Sequence, residues 1–147
     1  MKKNIILLFL TLTIYLAASA QISPIFIKDD KAIRGYDPVA YFTENKPVEG
    51  KPEFVYTWGS ANWYFSSQQN LDSFKVNPER YAPQYGGYCA YGLSEGHKAP
   101  TSVDAWKIVN GKLYLNYNIK VRELWSKNRE ERIETANKNW PDLKDKE

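Results

Sequence analysis

The sequence predicts an α+β domain, with a small antiparallel sheet from two hairpins packed by short helices and one long C-terminal helix. Three observations carry that prediction. In "EFVYTWGSANWYFSS" the aromatic residues Phe54, Tyr56 and Trp58 alternate up to Gly59-Ser60, and Trp63, Tyr64 and Phe65 return from it. In "AWKIVNGKLYLNY" the pair Asn110-Gly111, the favoured type I′ turn dipeptide, is flanked by Trp106, Ile108, Leu113 and Leu115. In "IKVRELWSKNREERIETANKNW" the residues Val121, Leu124, Trp125, Ala136 and Trp140 recur at helical spacing while Lys, Arg and Glu mix on the remaining positions.

The elements follow in order. Residues 1–20 read as a signal peptide: Lys2 and Lys3 are basic, Ile5 to Leu16 is mostly apolar, and Ala18-Ser19-Ala20 is a small-residue cleavage site. The apolar run is shorter than the roughly 20 residues a spanning helix needs. No cysteine stands at the junction for a lipid anchor, and no second long apolar run follows. The expectation is an exported chain beginning at Gln21, periplasmic or extracellular, with no transmembrane anchor after cleavage. Residues 21–33 form an N-terminal extension with an acidic turn at Asp29-Asp30. Residues 34–141 form the domain, and 142–147 a polar tail. Asp37 before Pro38 suits a helix start, because its carboxylate can accept from exposed backbone N–H groups and Pro fits the first helical position. Thr43 to Pro52 is a polar Pro/Gly loop. Ser67 can cap "QQNLDSFKV", which Asn77-Pro78 ends, and Asn118 can cap the terminal helix, with Pro141 as its stop.

Composition limits function. Removing the leader takes the net charge from +3 to +1, since it holds two lysines and no acids. A surface that close to neutral offers no electrostatic footprint for nucleic acid. One cysteine allows no intramolecular disulfide, so the core must suffice unaided, and the chain, 15% aromatic, supplies large side chains for it. There is no CxxC, no phosphate-loop glycine pattern and no calcium-loop spacing.

The segments "GYDPVAYF", "WYFSS…LDSFKVNPERYAPQYGGYCAYG" and "AWKIVNGKLYLNYN…W" occur in that order over most of Arg34 to Trp140. In this the chain resembles the exported, stand-alone branch of the YHS domain family, relatives of heavy-metal trafficking and sensing domains. The resemblance implies the fold and an association with metal. Shorter family members carry thiols after Asp-Pro-Val, after Tyr-Phe and before the Phe–Asn-Pro stretch. Here those positions hold Ala40, Ser66 and Leu71. Alanine and leucine cannot ligate, and a hydroxyl is a poor substitute for thiolate. The family's thiol site therefore does not carry over.

Attention passes to "QYGGYCAYGLSEGHKAP", which holds both the single cysteine, Cys89, and the single histidine, His97. Thiolate and imidazole suit copper, zinc or haem iron, so the two are candidate metal ligands. On one straight helix their α-carbons would lie about 12 Å apart. A break at Gly92 or Gly96 is needed to fold the chain back. Asp37, Glu95 and the tyrosines Tyr88 and Tyr91 are the candidates to complete a shell. Four readings stand side by side: a YHS-type domain binding a metal ion or small metal-containing ligand near Cys89; a thiol enzyme with His97 as base; a protein-interaction module using exposed aromatics; and Cys89 as core packing alone. The aromatic set Trp58, Trp63, Tyr64, Tyr81, Tyr85 and Tyr88 could line a ligand groove or fill a core.

Overall fold

The computed structural model describes residues 23–146, so the leader lies outside the described residues. The fold is α+β, as the patterning predicts, with two sheets where one was expected. Strand β1 (Ile27–Lys28) turns through Asp29-Asp30, both in left-handed conformation (φ 52° and 60°), into β2 (Lys31–Ala32). A 3₁₀ turn at Ile33–Gly35 and the short helix α1 (Ala40–Thr43) follow. The first predicted hairpin is β3 (Lys51–Trp58) and β4 (Ala61–Phe65), turning at Gly59 and Ser60. Phe54, Tyr56 and Trp58 lie half-buried on one face and alternate with exposed neighbours. The first sheet has the order β1-β2-β4-β3, with one parallel pairing at Lys31↔Asn62.

Ser67 caps α2 (Gln68–Val76) by accepting from the backbone N–H of Asn70 at 3.2 Å. Asn77-Pro78 does end that helix, and it also starts another. Asn77 Oδ1 accepts from the Arg80 N–H, and Pro78 takes the first position of α3 (Pro78–Tyr81). After a 3₁₀ turn at Gln84–Gly87 comes α4 (Ala90–Ser94). The second hairpin, β5 (Ser102–Val109) with β6 (Lys112–Asn116), turns at Asn110-Gly111 and forms its own two-stranded sheet.

The C-terminal helical stretch is long and is broken once, into α5 (Ile119–Lys127) and α6 (Arg129–Leu143). Asn118 caps α5 through the Val121 N–H at 2.8 Å. Asn128 leaves the helical region (φ −128°, ψ 47°), so α6 sets off in a new direction. Pro141, expected to stop the helix, lies inside it. Proline forfeits one backbone bond, and the last turn tolerates this: Lys144 N–H still reaches Trp140 O at 2.9 Å.

Two apolar clusters result. The first packs Trp63, Phe65 and Phe74 with Tyr41, Ile33, Leu113 and Leu115. The second packs Tyr85, Ala90, Leu93, Tyr114, Trp125 and Ala136. Strand β6 separates them. Successive side chains point to opposite faces, so Leu113 and Leu115 enter the first cluster and Tyr114 the second. Asn116 ends that buried run, two residues beyond Tyr114 and fully buried. Most of the aromatic set is thereby core, with Trp63 and Tyr85 buried and Trp58, Tyr81 and Tyr88 packed against the clusters, whereas Tyr64 lies half-buried outside both, with Lys31 over its ring.

Candidate functional site

Cys89 sits at the N-terminus of α4, its backbone N–H tied to Ala99 O at 3.0 Å. The residue is 1% exposed. The sulfur accepts from the Gly92 N–H at 3.5 Å and from the Tyr117 N–H at 3.2 Å. Its S–H donates to Asn116 Oδ1 at 3.7 Å. The same Oδ1 accepts from the Tyr91 N–H at 3.1 Å. Cys89 thus does for α4 what a serine N-cap would do, and Asn116 satisfies a second free donor of the helix start. Burial pushes the thiol pKa up, against the opposing pull of the N–H groups of Gly92, Tyr117 and Tyr91. The group is a protonated thiol at neutral pH, a weak nucleophile.

His97 is exposed. The helix does fold back where the glycines were expected to allow it. Gly96 takes φ 87°, its N–H donates to Leu93 O, and the His97 N–H donates to Gly92 O at 3.0 Å. This is a Schellman ending. It returns the imidazole over Gly92, where a Cβ would stand 3.4 Å from His97 Nε2. From the other side α6 fastens the end of α4. Asn139 Nδ2 donates to Leu93 O at 2.8 Å, and Arg132 bonds Ser94 and Glu95 while lying 4.1 Å over the Tyr91 ring.

Asp37 belongs to a different place. It is fully buried, and its carboxylate accepts from five donors. Oδ1 takes the N–H groups of Val39 and Ala40, at 2.8 and 3.2 Å. Oδ2 takes the N–H and Oγ of Ser66 and Nδ2 of Asn70, all within 2.8 Å. Asp37 stands two residues before the N-cap Val39 of α1 instead of at the cap itself, accepts from the N–H groups at the helix start, and fastens α1 to the end of β4 and to α2. Ser66, where the shorter family members carry a thiol, spends its hydroxyl on this carboxylate. The donor set at Ala40, Ser66 and Leu71 does not fit a thiolate metal centre. Among the described residues no three His, Cys, Asp or Glu side chains converge where a metal ion could be held.

Sequence reasoning missed Asn116. Its signal was present, as the amide that interrupts the apolar run "LYL" at its end. It also missed a cleft of about 620 Å³ lined by Asn45, Trp106, Lys107, Ile108, Arg122, Glu123, Ser126 and Arg129. That cleft joins residues far apart in sequence, so no local motif marks it.

This is a two-cluster α+β domain whose one thiol is an internal helix cap. Residues 39–85 match the family model of the YHS domain, over less than half of the chain. The matched segment carries α1, β3, β4, α2 and α3, the framework of the first cluster, and stops before Cys89. No curated protein and no solved structure matches the chain. Among the described residues no helix is long and apolar enough to cross a membrane.

Proposed function

We propose that this protein is an exported, non-enzymatic binding domain of the YHS type in which Cys89 serves the fold. One observation carries the reading: Cys89 is 1% exposed, with two backbone N–H groups directed at its sulfur and an amide oxygen 3.7 Å away. A nucleophilic cysteine needs a thiolate, an adjacent base and an open approach. Burial opposes the first and the third, and the exposed position of His97 speaks against the second. The N-terminal "KKNIILLFLTLTIYLAASA" supports export. An activated acyl ester tests the reading. The expected result is no burst of product, whereas a burst stoichiometric with protein and absent from Cys89→Ser would overturn it.

A second reading, a soft-metal contact at Cys89 and His97, is favoured by the return of the imidazole over Gly92, whose N–H faces the sulfur. Copper, zinc or haem would suit this donor pair. Titration of the mature protein with each, followed by native mass spectrometry, decides it. Stoichiometric binding lost in both Cys89→Ser and His97→Ala establishes the contact, and its absence leaves the sulfur purely structural.

A further inference from the structure

The cleft between β5 and α5 gathers three cations, Lys107, Arg122 and Arg129, against one lining carboxylate, Glu123. That concentration is local, since the whole chain without its leader carries only +1. Like charges brought together repel, and the neighbourhood neutralises only part of the excess. Arg129 pairs with Glu130 at 2.7 Å, while Lys107 and Arg122 have no ion-pair partner among the described residues. Arg122 and Ser126 stand four apart on α5, one turn of the same face, and Arg129 follows just beyond the break at Asn128. The break therefore places cations from two helices around one cleft. Trp106, half-buried and packed edge-on against Tyr41 at 5.3 Å, and Ile108 add an apolar wall. The amide of Asn45 adds an uncharged hydrogen-bonding group, while the Ser126 hydroxyl already donates to Arg122 O at 2.8 Å. The volume, about 620 Å³, falls in the range of about 300–1,000 Å³ usual for small-molecule sites.

The geometry points to this cleft as a binding site for a small organic phosphate, its dianion between Arg122, Lys107 and Arg129 and its flat apolar part against Trp106. Guanidinium forks match phosphate oxygens in geometry, and an excess of positive charge remains in the cleft after the pairing of Arg129 with Glu130, as an anionic ligand requires. The ligand class follows from this cleft alone and is independent of any role for Cys89.

The probe is phenyl phosphate, titrated into the mature protein near pH 7.5 and followed by tryptophan fluorescence and calorimetry. Saturable one-to-one binding is expected, weakening as salt is added. Inorganic phosphate should bind more weakly, because it lacks the ring, and benzyl alcohol should not bind. Arg122→Ala and Lys107→Ala should each weaken binding about tenfold or more, as loss of a charge-assisted bond does. Lys120→Ala, an equal charge loss at an exposed position of α5 outside the cleft, should change it little. Circular dichroism checks that each variant is folded, and the two cleft variants back each other up. Absence of saturable binding, or binding weakened equally by Lys120→Ala and Arg122→Ala, overturns the proposal.

Discussion

The backbone N–H of Tyr117 points at the sulfur of Cys89 from 3.2 Å away, and through that contact the end of β6 is fastened to the start of α4. Asn116 makes the same junction from the neighbouring position, taking the Tyr91 N–H at 3.1 Å. The thiol and the amide together satisfy donors that a five-residue helix could not otherwise bury.

Replacing the sulfur should therefore cost stability in a graded way. Cys89→Ala removes the cap and leaves the N–H groups of Gly92 and Tyr117 without their acceptor, with an expected loss of about 2 kcal/mol. Cys89→Ser keeps an acceptor and should lose about 1 kcal/mol or less. Urea unfolding midpoints of the two variants check the order. Equal losses would show that volume, and not hydrogen bonding, is what the site requires.

Buried acids make the fold sensitive to alkali. Burial raises the pKa of Cys89, and also those of Tyr41, Tyr85, Tyr88 and Tyr114, above ordinary values of 9.0 and 10.0. A raised folded-state pKa means that the unfolded chain releases these protons first as pH rises. The unfolded state then binds fewer protons, and the slope of stability against pH is negative. Stability should be unaffected by these groups below about pH 8 and should fall steadily above it, first through Cys89 and then through the tyrosines. Unfolding free energies measured across that range check the sign, and a flat profile to pH 11 would contradict it.

Asp37 ties α1, β4 and α2 through one carboxylate. Asp37→Asn removes the charge and turns an NH₂ group toward donors, so about 3 kcal/mol of stability should be lost. Ser66→Ala removes a single donor to Oδ2 and should cost about 1 kcal/mol. Thermal unfolding of both variants tests the ranking.

Much of the fold was legible because its signals are local. The turn pairs Gly59-Ser60 and Asn110-Gly111, the caps Ser67 and Asn118, and the aromatic alternation of β3 each depend on residues within one element. The helix breaks were harder to read. Asn128 carries no proline or glycine, and what redirects the chain there is packing, with Trp125 stacked on Tyr114 on one side and Ala136 buried with α4 residues on the other. The sites show the same division. Cys89 stood out by composition, and its role turned on Asn116 and Tyr117, 27 and 28 residues away. The cationic cleft draws on β5, α5 and α6 together, which no spacing pattern along the chain could reveal.

Gly86 offers a test of the N-terminal segment. Its φ is 61°, and a Cβ there would fall 1.8 Å from Pro24 O, while Phe26 N–H bonds Gly86 O at 2.9 Å. Gly86→Ala should detach the stretch before β1, costing about 2 kcal/mol or more and opening it to limited proteolysis. Digestion as slow as in the unsubstituted protein would argue that the backbone can shift at no great cost.

The alkylation rate of Cys89 in the native protein, measured with iodoacetamide at neutral pH with and without denaturant, bears most directly on the claim that the sulfur is internal framework. Labelling should be slow when folded, fast when unfolded, and unchanged in His97→Ala. Rapid labelling of the folded protein that slows in His97→Ala would contradict it and place an activated thiolate within reach of solvent.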